Sequence, residues 1–588
     1  MPKQKSDNSL KKFYCVALPI VLLGLFFRFA NLEARVFWVD EVATAVRVSG
    51  YTMGEVTANL AAKEKIVAEE LLNYQFRHSD LQTTWRALVQ SPEHAPLYFL
   101  LTRIWLNLTG SSITAMRTLA AVFSLLVFPA LFWLLQELFA CEVVSWLGVM
   151  LMSLSPFFVA YAQEARPYSL WTATVLLLSA SLLRAVRINS ACTWIGYIFS
   201  LALAFYTSLL SLFVAIAQGF YILVKYRKKL PIVTGYLASN AIALLLFSPW
   251  LYVLLTKTST LENNTTWMRD SIDFSALVAT WIGTVLLIFG DLPLSPSVDA
   301  IQMAIFILVV CSLLCFGFLV ARHWHTLSQT GQNTVYLGVF LLSSSGAVLL
   351  AFKEISLDVV ALVGGIVAIA IFTLVGYSFY FLVKTTDSHR WLFVGCLLAA
   401  IPLPLLGKDL IFQGQSSGAP RYLIPTQLAI QIAAAYTLGT KLRQSFGSYR
   451  KLTAGLVVVF FVALGIFSCT RNLNLSPIYL KSRNVHNNAI AAIINRQTQS
   501  LIFLESETVG DILSLSHSLN PMTEIKILSD NPSFGFCQRK RSCYILKPSL
   551  DLKKKLMRSN VEMKLAYQPK LFTSKQIFLD LWFIASKN

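Results

Sequence analysis

Between residues 13 and 470 the chain alternates long apolar runs with short polar breaks. A helix needs ~20 mostly apolar residues to cross a bilayer. Runs near that length recur at 13–31, 113–135, 143–160, 168–184, 193–206, 208–224, 231–255, 300–321, 334–352, 358–383, 391–407, 421–440 and 452–470. The pattern predicts an α-helical polytopic membrane protein with about 13 transmembrane helices. Residues 94–108 are apolar but short, and Arg103 sits midway, so they predict a re-entrant or surface helix. Residues 274–290 are ambiguous and are read as not crossing. After 471 the pattern changes. Short alternating runs predict strands at 501–504, 525–528, 544–546, 561–566 and 576–581. Helical spacing predicts helices over 485–496, 509–519 and 550–558. The expected organisation is a transmembrane domain over 1–470, with a long first outer loop at 32–110, followed by a small C-terminal α/β domain over 471–588.

Charge adds the direction. Only 13% of the 588 residues are charged, against about 25% for soluble proteins, which argues against a water-soluble enzyme. The formal net charge is +19, and its distribution decides what it means. Basic residues crowd the breaks at Arg184 and Arg187, at 225–229, at Lys384 and Arg390, and at 441–451. Positive charge marks cytoplasmic loops. The first span then reads as an uncleaved anchor with a cytoplasmic N-terminus, and the tail lies outside the cytoplasm of a plasma (inner) membrane. This is a topology signal and not a nucleic-acid footprint. The tail carries 17 Lys and Arg against 8 Asp and Glu, which suits anionic head groups or an anionic substrate at the outer surface. Most of the nine cysteines fall in or beside apolar runs as small core residues. Cys537 and Cys543 share a turn-rich basic stretch, where a disulfide and two free thiols both stay open.

Four short motifs could carry chemistry. Trp38-Val39-Asp40-Glu41 follows the first span. A carboxylate at the interface can deprotonate an acceptor or hold a divalent cation, although acids also favour a helix start. Glu93-His94-Ala95-Pro96-Leu97-Tyr98 can form a wall that positions a ligand, with His94 cationic beside a phosphate; its plainer reading is a turn before a helix. Tyr161 to Tyr168 contains Glu164 and Arg166 at a span end, a place where interface anchors are also common. Ala419-Pro420-Arg421-Tyr422 heads a late span, where a guanidinium can clamp a phosphate or anchor a lipid head group. Under the topology above, all four lie on the outer side.

In order and spacing these motifs resemble the GT-C membrane glycosyltransferases, within them the protein O-mannosyltransferase and aminoarabinose-transferase branch (glycosyltransferase family 39-like). The resemblance covers roughly residues 10–440. It implies a sugar donor linked to polyprenyl phosphate and chemistry on the outer face. It implies Asp40 as catalytic acid residue with Glu41 beside it, and Glu164 as second functional acid where Asp is common. The family's Lys-Pro-Pro-Leu element reads His94-Ala95-Pro96-Leu97 here. Arg421, His94 and Arg166 are implied to meet the donor phosphate, and Trp38, Tyr98 and Tyr422 to position substrate. The reaction is expected to invert by single displacement onto an acceptor lipid, glycan or protein. No metal-ligand spacing of a dedicated site appears, so the sequence assigns no cofactor, and a divalent cation is the one that the acids could hold. The rival reading is a transporter or flippase for a lipid-linked sugar or small molecule. Transporters place ionisable groups near the midplane within inverted repeats, whereas the acids here cluster at outer loops.

Overall fold

The computed structural model describes residues 2–269, 274–291, 357–443, 449–473, 483–497, 499–528, 542–558, 561–568 and 579–586. It is a helical membrane-type body with a small sheet domain near its C-terminus. Among the described residues, six helical stretches are long and apolar enough to cross a membrane, or seven if one bent pair counts as a span. The expected 13 are therefore not all seen at full length. The predicted spans 300–321 and 334–352 lie outside the described residues. The helices Ala191–Thr207, Ser211–Tyr226 and Phe274–Leu286 are apolar but shorter.

The body begins with α1 (Pro2–Phe29), continues through first-loop helices, and reaches α7 (Ile113–Leu125) and α8 (Val127–Phe139). The run expected at 143–160 is broken into α9 (Glu142–Ser153) and α10 (Pro156–Ala162), bent by 63°. Pro156 supplies no N–H and clashes with the preceding turn, so the helix stops before it. The carbonyls freed there are satisfied from α1. Arg28 donates to Met152 O at 3.0 Å and to Ser153 O at 2.6 Å, and also to Gly24 O at 2.8 Å. Its guanidinium lies 4.8 Å from the Phe128 ring centre. A charged group in hydrocarbon costs roughly 2.5–3.5 kcal/mol on insertion scales, and these carbonyls offset that cost.

The predicted surface helix is α6 (Leu97–Thr109). It packs among first-loop elements, and Arg103 is fully buried, donating to Asn107 Oδ1 at 2.6 Å and to Arg77 O at 3.3 Å. Long helices follow, notably α11 (Tyr168–Ile188) and α20 (Ile424–Leu442, numbered in chain order). Each has a motif residue next to one end and basic residues at the other: Arg166 against Arg187, and Arg421 against Lys441. At 1.5 Å per residue the 21 residues of α11 separate these ends by roughly 30 Å.

The tail supplies five strands of a six-stranded sheet with order β1-β3-β2-β4-β6-β5. Central β2 (Ser500–Leu504) runs parallel to β3 (Glu524–Ile527) and β4 (Ser542–Leu546). All five β2 residues are buried, as expected for a strand covered on both faces. The antiparallel pair β5 (Val561–Tyr567) and β6 (Leu581–Ser586) extends one side. The last strand therefore starts where the expected strand at 576–581 ended. Its register with β4 sets Leu581 opposite Leu546 and Ile584 opposite Cys543, burying Leu581 and Ile584. Residues 576–578 lie outside the described residues. Cys543 is buried and disulfide-bonded, and Cys537 lies outside the described residues. The opposite edge is covered from far away in sequence. Strand β1 (Ile66–Val67), within the first loop, pairs with β3, Ile66 opposite Ile525. Covering an edge strand in this way removes a free pairing template.

Tail and first loop also share a polar–aromatic contact. The His517 ring packs edge-on against Phe37 and Phe76, with centroids 5.1 and 5.7 Å away. Its Nε2 lies 2.9 Å from Gln75 Oε1. Burial, and then Arg117, push the imidazole down to about 4. Between the ordinary His value of 6.5 and about 4, the unfolded chain binds a proton that the native chain refuses. Stability therefore rises with pH across this window and is lost as pH falls through it. Thermal unfolding of the purified protein at pH 7, 6 and 5 should show a falling midpoint, and His517→Gln should flatten that trend.

Candidate active site

Helix α2 (Val39–Val48) builds the centre of the site. Trp38 is extended, with φ −87° and ψ 170°, and Asp40 and Glu41 occupy the first turn, where carboxylates suit the positive end of the helix. Neighbours on a helix point about 100° apart, and these two acids meet different surroundings. Glu41 turns inward and is fully buried. Arg117 of α7 grips it with Nε to Oε1 at 2.8 Å and Nη2 to Oε2 at 2.7 Å. The Ala165 N–H donates to Glu41 Oε1 at 2.9 Å. Arg117 also donates to the carbonyls of Leu32, Arg35 and Val36.

Asp40 turns to the rim, its side chain 23% exposed. Its Oδ2 lies 3.5 Å from Nη2 of Arg421, itself 17% exposed. Arg421 belongs to a short 3-10 turn, Pro420–Leu423, ahead of α20. Its guanidinium carbon sits 5.3 Å from the Tyr422 ring, 5.7 Å from Trp38 and 5.8 Å from Trp267. Trp267 arrives on the turn Thr266–Arg269. That turn is fixed to the 413–418 loop: Gln415 donates from its N–H to Met268 O at 3.1 Å and from Nε2 to Trp267 O at 2.8 Å. Asp409 secures the same loop by accepting the Ser416 and Ser417 N–H groups at 2.8 and 2.6 Å.

The other two motifs close round α2. Arg166 donates to Asp40 O at 3.2 Å and to Thr44 Oγ1 at 3.1 Å. Glu93 accepts from Arg47 at 3.1 Å and from Asn264 at 3.0 Å. His94 lies 3.5 Å from Glu93 through Nε2. Burial, and then Arg47, Arg166 and Arg421, push the His94 imidazole well below its usual range. Near neutral pH it therefore offers a neutral ring, and the positive charge of the site is carried by arginines. Trp38 Nε1 and Arg166 Nε are buried without a hydrogen-bond partner among the described residues, and Asp40 Oδ2 has the ion pair with Arg421 but no hydrogen bond. Unmet polar atoms of this kind mark a polar ligand site better than a packed core.

The structure thus brings all four sequence motifs together. Asp40, Arg421, Trp38 and Tyr422 meet at the rim, with Arg166 and His94 close by. Glu41, Glu164 and Tyr98 are fully buried instead. Tyr98 packs edge-to-face on Phe99, and Glu164 sits in the tight turn where its carbonyl accepts the Arg166 N–H at 2.7 Å. Sequence reasoning missed Arg117, Arg47 and Trp267. Arg117 had a signal, a charge inside an apolar run, which costs too much to be idle. Trp267 had none beyond being a tryptophan in a polar loop. Among the described residues, no group of three or more His, Cys, Asp or Glu could hold a metal ion.

Comparison with known proteins locates the resemblance. Residues 93–253 match the family model for dolichyl-phosphate-mannose-protein mannosyltransferase, a stretch holding His94, Tyr98, Arg117, Glu164 and Arg166. No curated protein matches the chain significantly by sequence. Two solved structures of ArnT from Cupriavidus metallidurans align over 98% of this chain and 98% of theirs. The one bound to undecaprenyl phosphate has 10% identity and a TM-score of 0.40, and the apo one 11% and 0.41.

The Glu41–Arg117 pair gives a direct test. Removing one partner of a fully buried pair strands the other charge, at a cost of roughly 3–5 kcal/mol. Arg117→Met should lower the unfolding midpoint strongly in detergent. The double variant Glu41→Leu with Arg117→Met should recover part of that loss, the carbonyls at 32, 35 and 36 staying unmet, as a double-mutant cycle with Glu41→Leu alone will read out.

Proposed function

We propose that this chain is an integral membrane glycosyltransferase. It moves a sugar from a polyprenyl-phosphate-linked donor to an acceptor lipid, glycan or protein at the extracytoplasmic face. One observation carries the reading: a carboxylate and a guanidinium, Asp40 and Arg421, stand 3.5 Å apart and partly exposed, within a wall of Trp38, Tyr422 and Trp267. The family similarity over 93–253 supports the class of reaction and of donor. The side of the membrane is inferred from charge: Arg187 and Lys441 lie at the ends of α11 and α20 remote from the motif residues, and such basic ends face the cytoplasm.

The chemistry follows from the two charges that develop. The acceptor hydroxyl or amine attacks the anomeric carbon, and the bond from that carbon to the phosphate oxygen breaks. Polyprenyl phosphate leaves with the bonding electrons, and the configuration inverts. Asp40 takes the acceptor proton. Arg421 faces the negative charge that grows on the leaving phosphate, in a position fixed before the reaction. Arg166 holds the Asp40 carbonyl and Thr44 and so keeps α2 in register with the 163–167 turn. The three aromatic rings offer faces to the sugar and to the first isoprene units.

Two substitutions test this in membranes that contain the native acceptor. Asp40→Asn should cut release of polyprenyl phosphate from polyprenyl-phosphate mannose or aminoarabinose by at least about a hundredfold, with normal amounts of folded protein. Full activity would remove Asp40 as the base. Arg421→Lys keeps the charge but loses the planar fork. It should raise KM for the sugar donor, and Arg421→Ala should raise it further and lower kcat. A donor dependence unchanged in both would remove the phosphate role.

A further inference from the structure

The helix that carries Asp40 is not capped by its own neighbours. Trp38 offers no side-chain cap, and the first amide of a helix needs an acceptor from somewhere. The Val39 N–H finds it 445 residues away, donating to Oδ1 of Asn484 at 3.0 Å. Asn484 is fully buried and is itself held, because its Nδ2 donates to Asp511 Oδ1 at 3.1 Å. Asp511 is fully buried and receives Arg483 in a bidentate grip, at 2.7 Å from Nε and 2.6 Å from Nη2. A second contact fixes the approach to the helix. Ser514 donates to Phe37 O at 2.5 Å and receives Asn487 Nδ2 at 2.8 Å. The Val39 side chain packs on Gly510, where a Cβ would come within 2.8 Å of Val39 Cγ2.

We propose that the C-terminal domain is a working part of the catalytic site, in which Asn484 and Asp511 are positioning residues that set the bearing of Asp40. The amide of Asn484 suits this role because it both accepts and donates. Its oxygen takes the helix N–H while its NH₂ reports to Asp511, so its orientation is fixed and not averaged. The Arg483 pair spares Asp511 an unpaired buried charge and locks the carboxylate plane. Asp40 lies one residue beyond the capped amide. A shift of about 1 Å at a reacting group can cost on the order of a hundredfold in rate. The inference rests on Asp40 being the base, as proposed above.

The full-length chain, purified in lipid nanodiscs, provides the test, with polyprenyl-phosphate mannose and polyprenyl-phosphate aminoarabinose assayed in parallel and native membrane extract as acceptor. Asn484→Ala should lower kcat by about ten- to a hundredfold while KM for the donor changes less than about twofold and the acid limb of the kcat–pH profile moves. Gly510→Ala, which wedges the tail away from Val39, should give the same split. The exchange variant Asn484→Asp with Asp511→Asn restores one carboxylate and one amide to the pair, and should recover most of the lost kcat. Unchanged kcat in both single variants would overturn the proposal, as would a loss explained entirely by less folded protein. If Asp40→Asn is inactive and Asn484→Ala fully active, the positioning role falls and the base assignment stands. If Asp40→Asn is active, the base assignment itself falls.

Discussion

The grip of Arg117 on Glu41 holds the site together. A single guanidinium reaches both oxygens of one carboxylate and three backbone carbonyls at 32, 35 and 36. The same carboxylate takes the Ala165 amide. Three separate stretches of chain are thereby tied at one fully buried point: the exit from α1, the start of α2 and the turn before α11. Burying two charges is expensive, and a hydrophobic replacement of both is often no less stable. What the pair supplies is direction. The carbonyl array cannot be met by an apolar side chain, and only one rotation of α2 presents Glu41 to it. That rotation leaves Asp40 facing the rim. Two adjacent acids of the same chemistry are thus separated into a structural one and an available one by a helical step.

Arginine recurs in the same office elsewhere. Arg28 takes the carbonyls that a proline-broken helix gives up, Arg103 takes those of the first loop, and Arg166 holds α2 to the 163–167 turn. The planar fork, always charged and weakly hydrated, can answer several carbonyls at once where a lysine cannot. Arg421 differs from these. It meets ring faces and one carboxylate at 3.5 Å, not a set of carbonyls. A guanidinium on aromatic faces stays polarised toward its open side, which fits an anion that comes and goes.

Much of the fold was legible because its signals are local. Apolar runs gave the membrane body, and alternation gave most of the strands. The convergence of four motifs was legible because each sits at a run's end and parity set the ends on one side. The unseen features are all non-local. The strand Ile66–Val67 is two residues long and acquires its identity only from pairing with Glu524 and Ile525. Trp267 joins the site because Gln415 fixes its turn, a contact across 148 positions. The residues alone presented Asp40 and Glu41 as one acid pair, and the burial of Glu41 follows from Arg117, 76 positions away. The bend at Pro156 was read as part of one span, since the run of apolar residues continues through it; the proline mattered more than the hydropathy.

The contact between Val39 and Asn484 has a temporal side. The helix bearing Asp40 is made well before its capping residue, which follows 445 positions later. At about 5–20 residues per second of synthesis that interval is roughly 20–90 s. By its end all the described membrane helices can be inserted while the faces of Phe37 and Phe76 still lack His517. A ribosome that stops between residues 471 and 484 would leave the described membrane helices with an unfinished centre. The centre is in this sense proofread by distant chain, since the start of the Asp40 helix gains its cap only once Asn484 and Asp511 exist.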